Sequence, residues 1–142
     1  MPAWGIIQLN PAEFSMYISE HYEWPDNRLR RLTVRRHGFA SVHAGAAGGE
    51  FTTRPLTFTG KNLILNYATS AAGSIQIEVL DAQGKPIEGR TLAEMPPLFG
   101  DELDAVVQWK SSADLSGLIG QPVRFRFVLK DADLFALRTG TP

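Results

Sequence analysis

No cysteine occurs in the 142 residues, so disulfides and thiolate metal sites are excluded. The absence says nothing about compartment. Charge of one sign is missing as well. Fourteen Lys and Arg stand against fifteen Asp and Glu, a formal net charge of −1. The chain therefore has no overall pull toward nucleic acid or an anionic membrane. No apolar run approaches the roughly 20 residues that a membrane helix needs. The N-terminal stretch Met1 to Asn10 lacks the basic segment and long apolar core of a signal peptide. Low-complexity tracts, internal repeats, a Gly-x-Ser-x-Gly elbow, a phosphate-binding glycine loop before a helix and EF-hand spacing are all lacking.

What is present is a core-forming chain of one-domain length. At 44% apolar and 10% aromatic residues it can bury a proper interior. From Gly73 to Gly89, Ile75, Ile77 and Val79 alternate with Gln76 and Glu78, the period-2 pattern of a strand with one buried face. Asp81 to Gly84 supplies turn chemistry, and Pro86 starts the return. From Gln121 to Leu129 the pattern recurs, with Val123, Phe125, Phe127 and Leu129 inside.

Further strands are predicted at Trp4–Leu9, Glu13–Glu20 and Arg28–Arg36, the last with a bulge near Arg30-Arg31 because Leu29 is out of phase with Leu32 and Val34. Others are predicted at Gly38–His43, anchored by Phe39, around Pro55, at Asn62–Ala68, Ala105–Lys110 and Leu134–Arg138. Ala71-Ala72-Gly73 reads as a turn, Gly89–Glu102 as a long crossing loop, and Asp114–Gly120 as one helical turn capped by Asp114. Many short strands with turn signals about every ten residues predict an all-β fold, a two-sheet antiparallel β-sandwich. Long crossings favour a jelly-roll-like connection.

Chemistry-bearing residues are sparse. His21, His37 and His43 have no metal-ligand spacing. Five arginines between Arg28 and Arg36 suggest a nucleic-acid patch, but their alternation also suits the wet face of a strand paired with Glu13 and Glu20. The balanced net charge favours that second reading, with no nucleic-acid partner. Asp101, Asp104 and Asp133 are weak candidates for a structural Ca²⁺, which takes six to eight oxygens; no other cofactor is indicated. Glu20, Glu23, Asp101 and Asp104 are the carboxylates a glycosidase pair would draw on. Tyr22 and Trp24 precede Pro25 in a loop. Two readings stand for them: both rings pack on the sandwich edge or against a neighbouring domain, or, in an extended segment where i and i+2 share a side, they form a sugar-stacking platform with Glu20, His21 and Asp26 as hydroxyl partners. Trp109 alternates with Val107 and is predicted to be core.

Thr52–Phe58, Gly60–Asn66, Asp81–Ile87, Gly100-Asp101, Val107–Lys110 and Leu118–Phe127 occur in an order that resembles the β-sandwich following a five-bladed β-propeller in bacterial glycoside-hydrolase-like proteins. Trp4–Leu9, His21-Tyr22 and Arg28–Arg31 resemble the last propeller strands before it. Departures are Arg90-Thr91, where that family usually has a Phe, and Met95, often a Cys there. The resemblance implies propeller-derived strands over residues 1–36, packed on a sandwich over residues 37–142. It also implies catalytic acids in the propeller, and so a chain that is not an enzyme on its own. The expected partners are a carbohydrate or the propeller of a larger protein, with no membrane partner. A purely structural role predicts an apolar docking patch around Trp4, Ile6, Phe14 and Tyr17.

Overall fold

The computed structural model describes residues 5–141, so Trp4 lies outside the described residues. The chain divides into two compact units between Ala40 and Ser41. The expected all-β, sandwich-like class is what is found: two antiparallel sheets and, among the described residues, no α-helix.

The first unit is a three-stranded sheet in the order β1 (Ile7–Gln8), β2 (Glu13–Glu20), β3 (Arg28–Arg35). Register runs unbroken from Glu13↔Arg35 to Glu20↔Arg28, so the bulge expected near Arg30-Arg31 is absent. Leu29 stays out of phase and is 70% exposed. Burial in β2 does not alternate as expected: Phe14, Met16 and Ile18 are half-buried, and so are Tyr17 and Ser19. The fully buried residue is Ser15, whose hydroxyl accepts from Arg31 Nε at 3.1 Å while Arg31 Nη2 donates to Glu13 at 2.8 Å. Phe39 is not a sandwich anchor. It is 57% exposed and stacks on Phe14, centroids 6.2 Å apart, because the next strand begins only at Val42.

The second unit has β4 (Val42–Ala44), β5 (Gly49–Thr52), β6 (Asn62–Asp81), β7 (Asp101–Val106) and β8 (Val123–Gly140), in the order β4-β8-β6-β7 with β5 also on β8. Two expected breaks are bridged. Ala71-Ala72-Gly73 is no turn, and Asp131 does not end a strand. Between the pairs Thr69↔Ala132 and Ser74↔Lys130, the four residues Ser70 to Gly73 face Asp131 alone. Asp131 takes φ +44°. This bulge bends both strands while their ladder continues. Gly73 sits at the crowded point, where a Cβ would lie 2.3 Å from Asp131 O. Before the bend β8 buries Val123, Phe125, Phe127 and Leu129; after it, Ala132 and Leu134. The one-residue shift at Asp131 thus keeps the apolar side chains on one face. Both halves of β6 and β8 reach a single core with Phe58, Met95, Trp109 and Leu115, so the sheet curls around it.

β7 covers only the first half of β6, pairing with Ile64 to Ala68. Loop atoms close the edge of the second half. Ile75 exchanges two backbone bonds with Leu98 at 2.9 Å; Val79 N donates to Arg90 O and its carbonyl accepts from Ile87, both at 2.9 Å; Asp81 N reaches Lys85 O at 2.9 Å. At Ile77 side chains take over: its N–H points to Met95 Sδ at 3.1 Å, and its carbonyl accepts from Trp109 Nε1 at 3.1 Å. Buried backbone groups need partners, which explains why Met95 and Trp109 are buried here in non-strand segments. The expected strand at Ala105–Lys110 is correspondingly displaced to Asp101–Val106. Asp114 accepts from the Ser116 N–H at 2.8 Å ahead of a short 3-10 turn, Ser116–Leu118, which Gly120 follows.

Candidate functional site

β2 and β3 are joined by the loop His21–Asn27, which carries all five sugar-site candidates or borders them. Its backbone makes two successive turns, with Trp24 N donating to His21 O at 2.9 Å and Asn27 N to Trp24 O at 3.0 Å. His21 and Glu23 take φ +52° and +67°, a region costly for residues other than glycine. Side chains brace the ends. Ser19 Oγ donates to Asn27 Oδ1 at 2.9 Å, and His21 Nδ1 contacts Asp26 Oδ2. At the last strand pair, Glu20 Oε2 accepts from Arg28 Nε at 2.9 Å and Glu20 Oε1 lies 3.1 Å from Arg30 Nε. The Arg28 hydrogen bond, helped by the charge of Arg30, holds the Glu20 carboxyl below its ordinary range.

Tyr22 is 59% and Trp24 69% exposed on this braced loop. The extended backbone that would set the two rings side by side two residues apart is not what forms. Positive φ at Glu23 turns the chain between them, so the i, i+2 rule does not apply. The loop still holds two wet aromatic rings beside Glu20, His21 and Asp26.

The remaining candidates do not converge. Among the described residues no group of three or more His, Asp and Glu side chains could hold a metal ion. Two of the three calcium candidates have other partners, Asp104 Oδ1 meeting Arg138 Nη2 at 3.3 Å and Asp133 Oδ1 bound by Ser41 and His43, while Asp101 opens β7. Three arginines of β3, Arg28, Arg30 and Arg31, pair with Glu20 and Glu13, as their alternation suggested. Trp109 is fully buried and unavailable as a sugar platform.

Two groupings escaped sequence reasoning, because each joins residues far apart in the chain. Ser41, His43 and Asp133 meet across the β4–β8 pair, but Ser41 Oγ (2.7 Å) and His43 Nδ1 (3.1 Å) both bind Asp133 Oδ1. A nucleophilic serine must instead give its proton to the imidazole, so this trio ties down an edge strand. The second is a recess of about 220 Å³ lined by Ile87, Glu88, Arg90, Asp114, Leu115, Gly117 and Leu118. Arg90 lies 5.4 Å from the Trp109 ring centre and donates to Gly89 O at 2.7 Å, Ser111 Oγ at 2.8 Å and Asp114 O at 2.5 Å. Its guanidinium is committed to structure.

No family model, curated protein or solved structure matches this chain.

Proposed function

We propose that this chain is a non-catalytic accessory β-sandwich module of a glycoside-hydrolase-like protein, binding carbohydrate through the His21–Asn27 loop. The observation that carries the reading is the pair of solvent-facing rings, Tyr22 and Trp24, on a loop whose backbone is pinned by its own turns and side-chain contacts. Pyranose rings offer apolar C–H faces to such aromatics, and rigid rings lose little entropy on binding. The state of Glu20 argues against catalysis there: a general acid needs a raised pKa, whereas arginines lower this one. Titrating soluble polysaccharides into the labelled chain, with shifts followed by NMR, tests the reading. Wild type is expected to bind with about millimolar affinity, ~4 kcal/mol, and Trp24→Ala to lose it. Equal binding by Trp24→Ala would remove the loop as the site.

A structural docking role is the second reading, and one observation favours it. Among the described residues, seven of the eleven exposed large apolar side chains lie before Ser41: Ile6, Ile7, Leu9, Tyr22, Trp24, Leu29 and Phe39. No apolar residue described in that unit is fully buried. A partner surface, such as the propeller of a larger protein, would cover such a sheet. If so, Ile7→Ser should leave the fold's melting unchanged while weakening association with that partner. Unimpaired association would count against it.

A further inference from the structure

Among the described residues no other strand pairs the outer edge of β3, eight residues from Arg28 to Arg35. It holds no proline, glycine or register break, three of the devices that make an edge unfit for pairing. Its charge is one-sided. Arg31 pairs with Glu13. Glu20 alone serves both Arg28 and Arg30. One carboxylate between two guanidiniums leaves positive charge uncompensated along the edge.

We propose that β3 accepts an extended acidic segment of a partner protein as a fourth strand. Its backbone would continue the ladder, and its carboxylates would lie beside the arginines, the strand-addition mode of peptide recognition. Charge selects this occupant. A second copy of the chain, adding β3 to β3, would bring four arginines beside four more, and like charges on adjacent strands repel. Nucleic acid would supply phosphates for the arginines but no amide–carbonyl ladder.

The test varies the ligand and leaves the full chain intact. An eight-residue peptide alternating Glu and Val is titrated into labelled protein, beside a Lys–Val counterpart, the acidic peptide N-methylated at alternate amides in either phase, and a single-stranded oligonucleotide. Expected are shift changes and slowed amide exchange in β3 with the acidic peptide, and affinity that falls as salt rises. The Lys–Val peptide and one N-methyl phase should bind at least about tenfold more weakly. The proposal is overturned if the acidic peptide fails to bind at millimolar concentration or shifts residues elsewhere. Undiminished binding by both N-methyl phases would mean that charge alone attracts it. Stronger binding by the oligonucleotide would place a nucleic acid on the arginines instead.

Discussion

Phe125 is fully buried and lies 6.0 Å from Phe58, ring centre to ring centre. Phe125→Ala should cost about 3–5 kcal/mol, the usual loss for a deleted buried ring; a urea-unfolding change below about 1 kcal/mol would contradict its placement. Met95 presents a subtler case. Leu for Met is close to volume-conserving and ordinarily costs less than about 1.5 kcal/mol. Here Met95 Sδ receives the buried Ile77 N–H, and an orphaned buried donor costs about 1–3 kcal/mol. Met95→Leu is therefore expected to exceed the ordinary cost, with faster hydrogen exchange at Ile77 as its specific mark. Sequence alone could identify Phe125, because period-2 alternation marks a core face. It could not foresee the role of Met95, because a side chain replacing a strand partner leaves no local pattern. Trp24 falls between these cases. The loop before Pro25 allows either exposure or packing on the sandwich edge, and the structure leaves the ring exposed, while the turn that separates it from Tyr22 depends on positive φ at His21 and Glu23, which glycine would have signalled and these residues do not.

Single elements show the same division. β2 is found at the predicted Glu13–Glu20, and β3 misses its predicted end by one residue. The sequence pattern predicts two strands each for β6 and β8, since Ala71-Ala72-Gly73 and Asp131-Ala132-Asp133 have turn composition. Whether such a stretch ends a strand or bulges within it depends on the partner across the ladder. Gly73→Ala probes the bulge: its Cβ would press on Asp131 O, and about 1–3 kcal/mol of destabilisation is expected for such overpacking. Thermal unfolding unchanged from wild type would mean that the bend relaxes freely. The β2–β3 hairpin has its own acid response. The Glu20 pKa is lowered by folding, so its contribution is present above the unfolded-state pKa and lost as pH falls through the lower folded value. An NMR titration should show the Glu20 carboxyl protonating below its ordinary value of 4.5, with Arg28 and Arg30 side-chain signals broadening in step. Arg28→Gln should move that midpoint upward.

For the whole molecule, the asymmetry between the units makes a direct forecast. The second unit closes a core of its own, whereas the first buries no apolar residue fully among those described. Small sheets without a core are marginal in water. A fragment beginning at Ser41 should fold cooperatively, and one ending at Ala40 should lack dispersed NMR signals; the reverse outcome would refute the division of stability drawn here. The bent β6–β8 ladder has a further consequence, in time rather than in energy. Its nearest pair in sequence, Asp81↔Val123, joins residues 42 apart, and its farthest, Asn62↔Gly140, residues 78 apart. No short hairpin turn can start this ladder. A long stretch of chain must be gathered before the first rung repays the entropy, and the growing ladder must then cross the four-against-one mismatch in one choice of register. Non-local topologies of this kind reach the native state in milliseconds to seconds. Through that interval the apolar strands Leu63–Tyr67 and Val123–Leu129 stand open to neighbouring chains, so the yield of refolded protein should fall as its concentration rises.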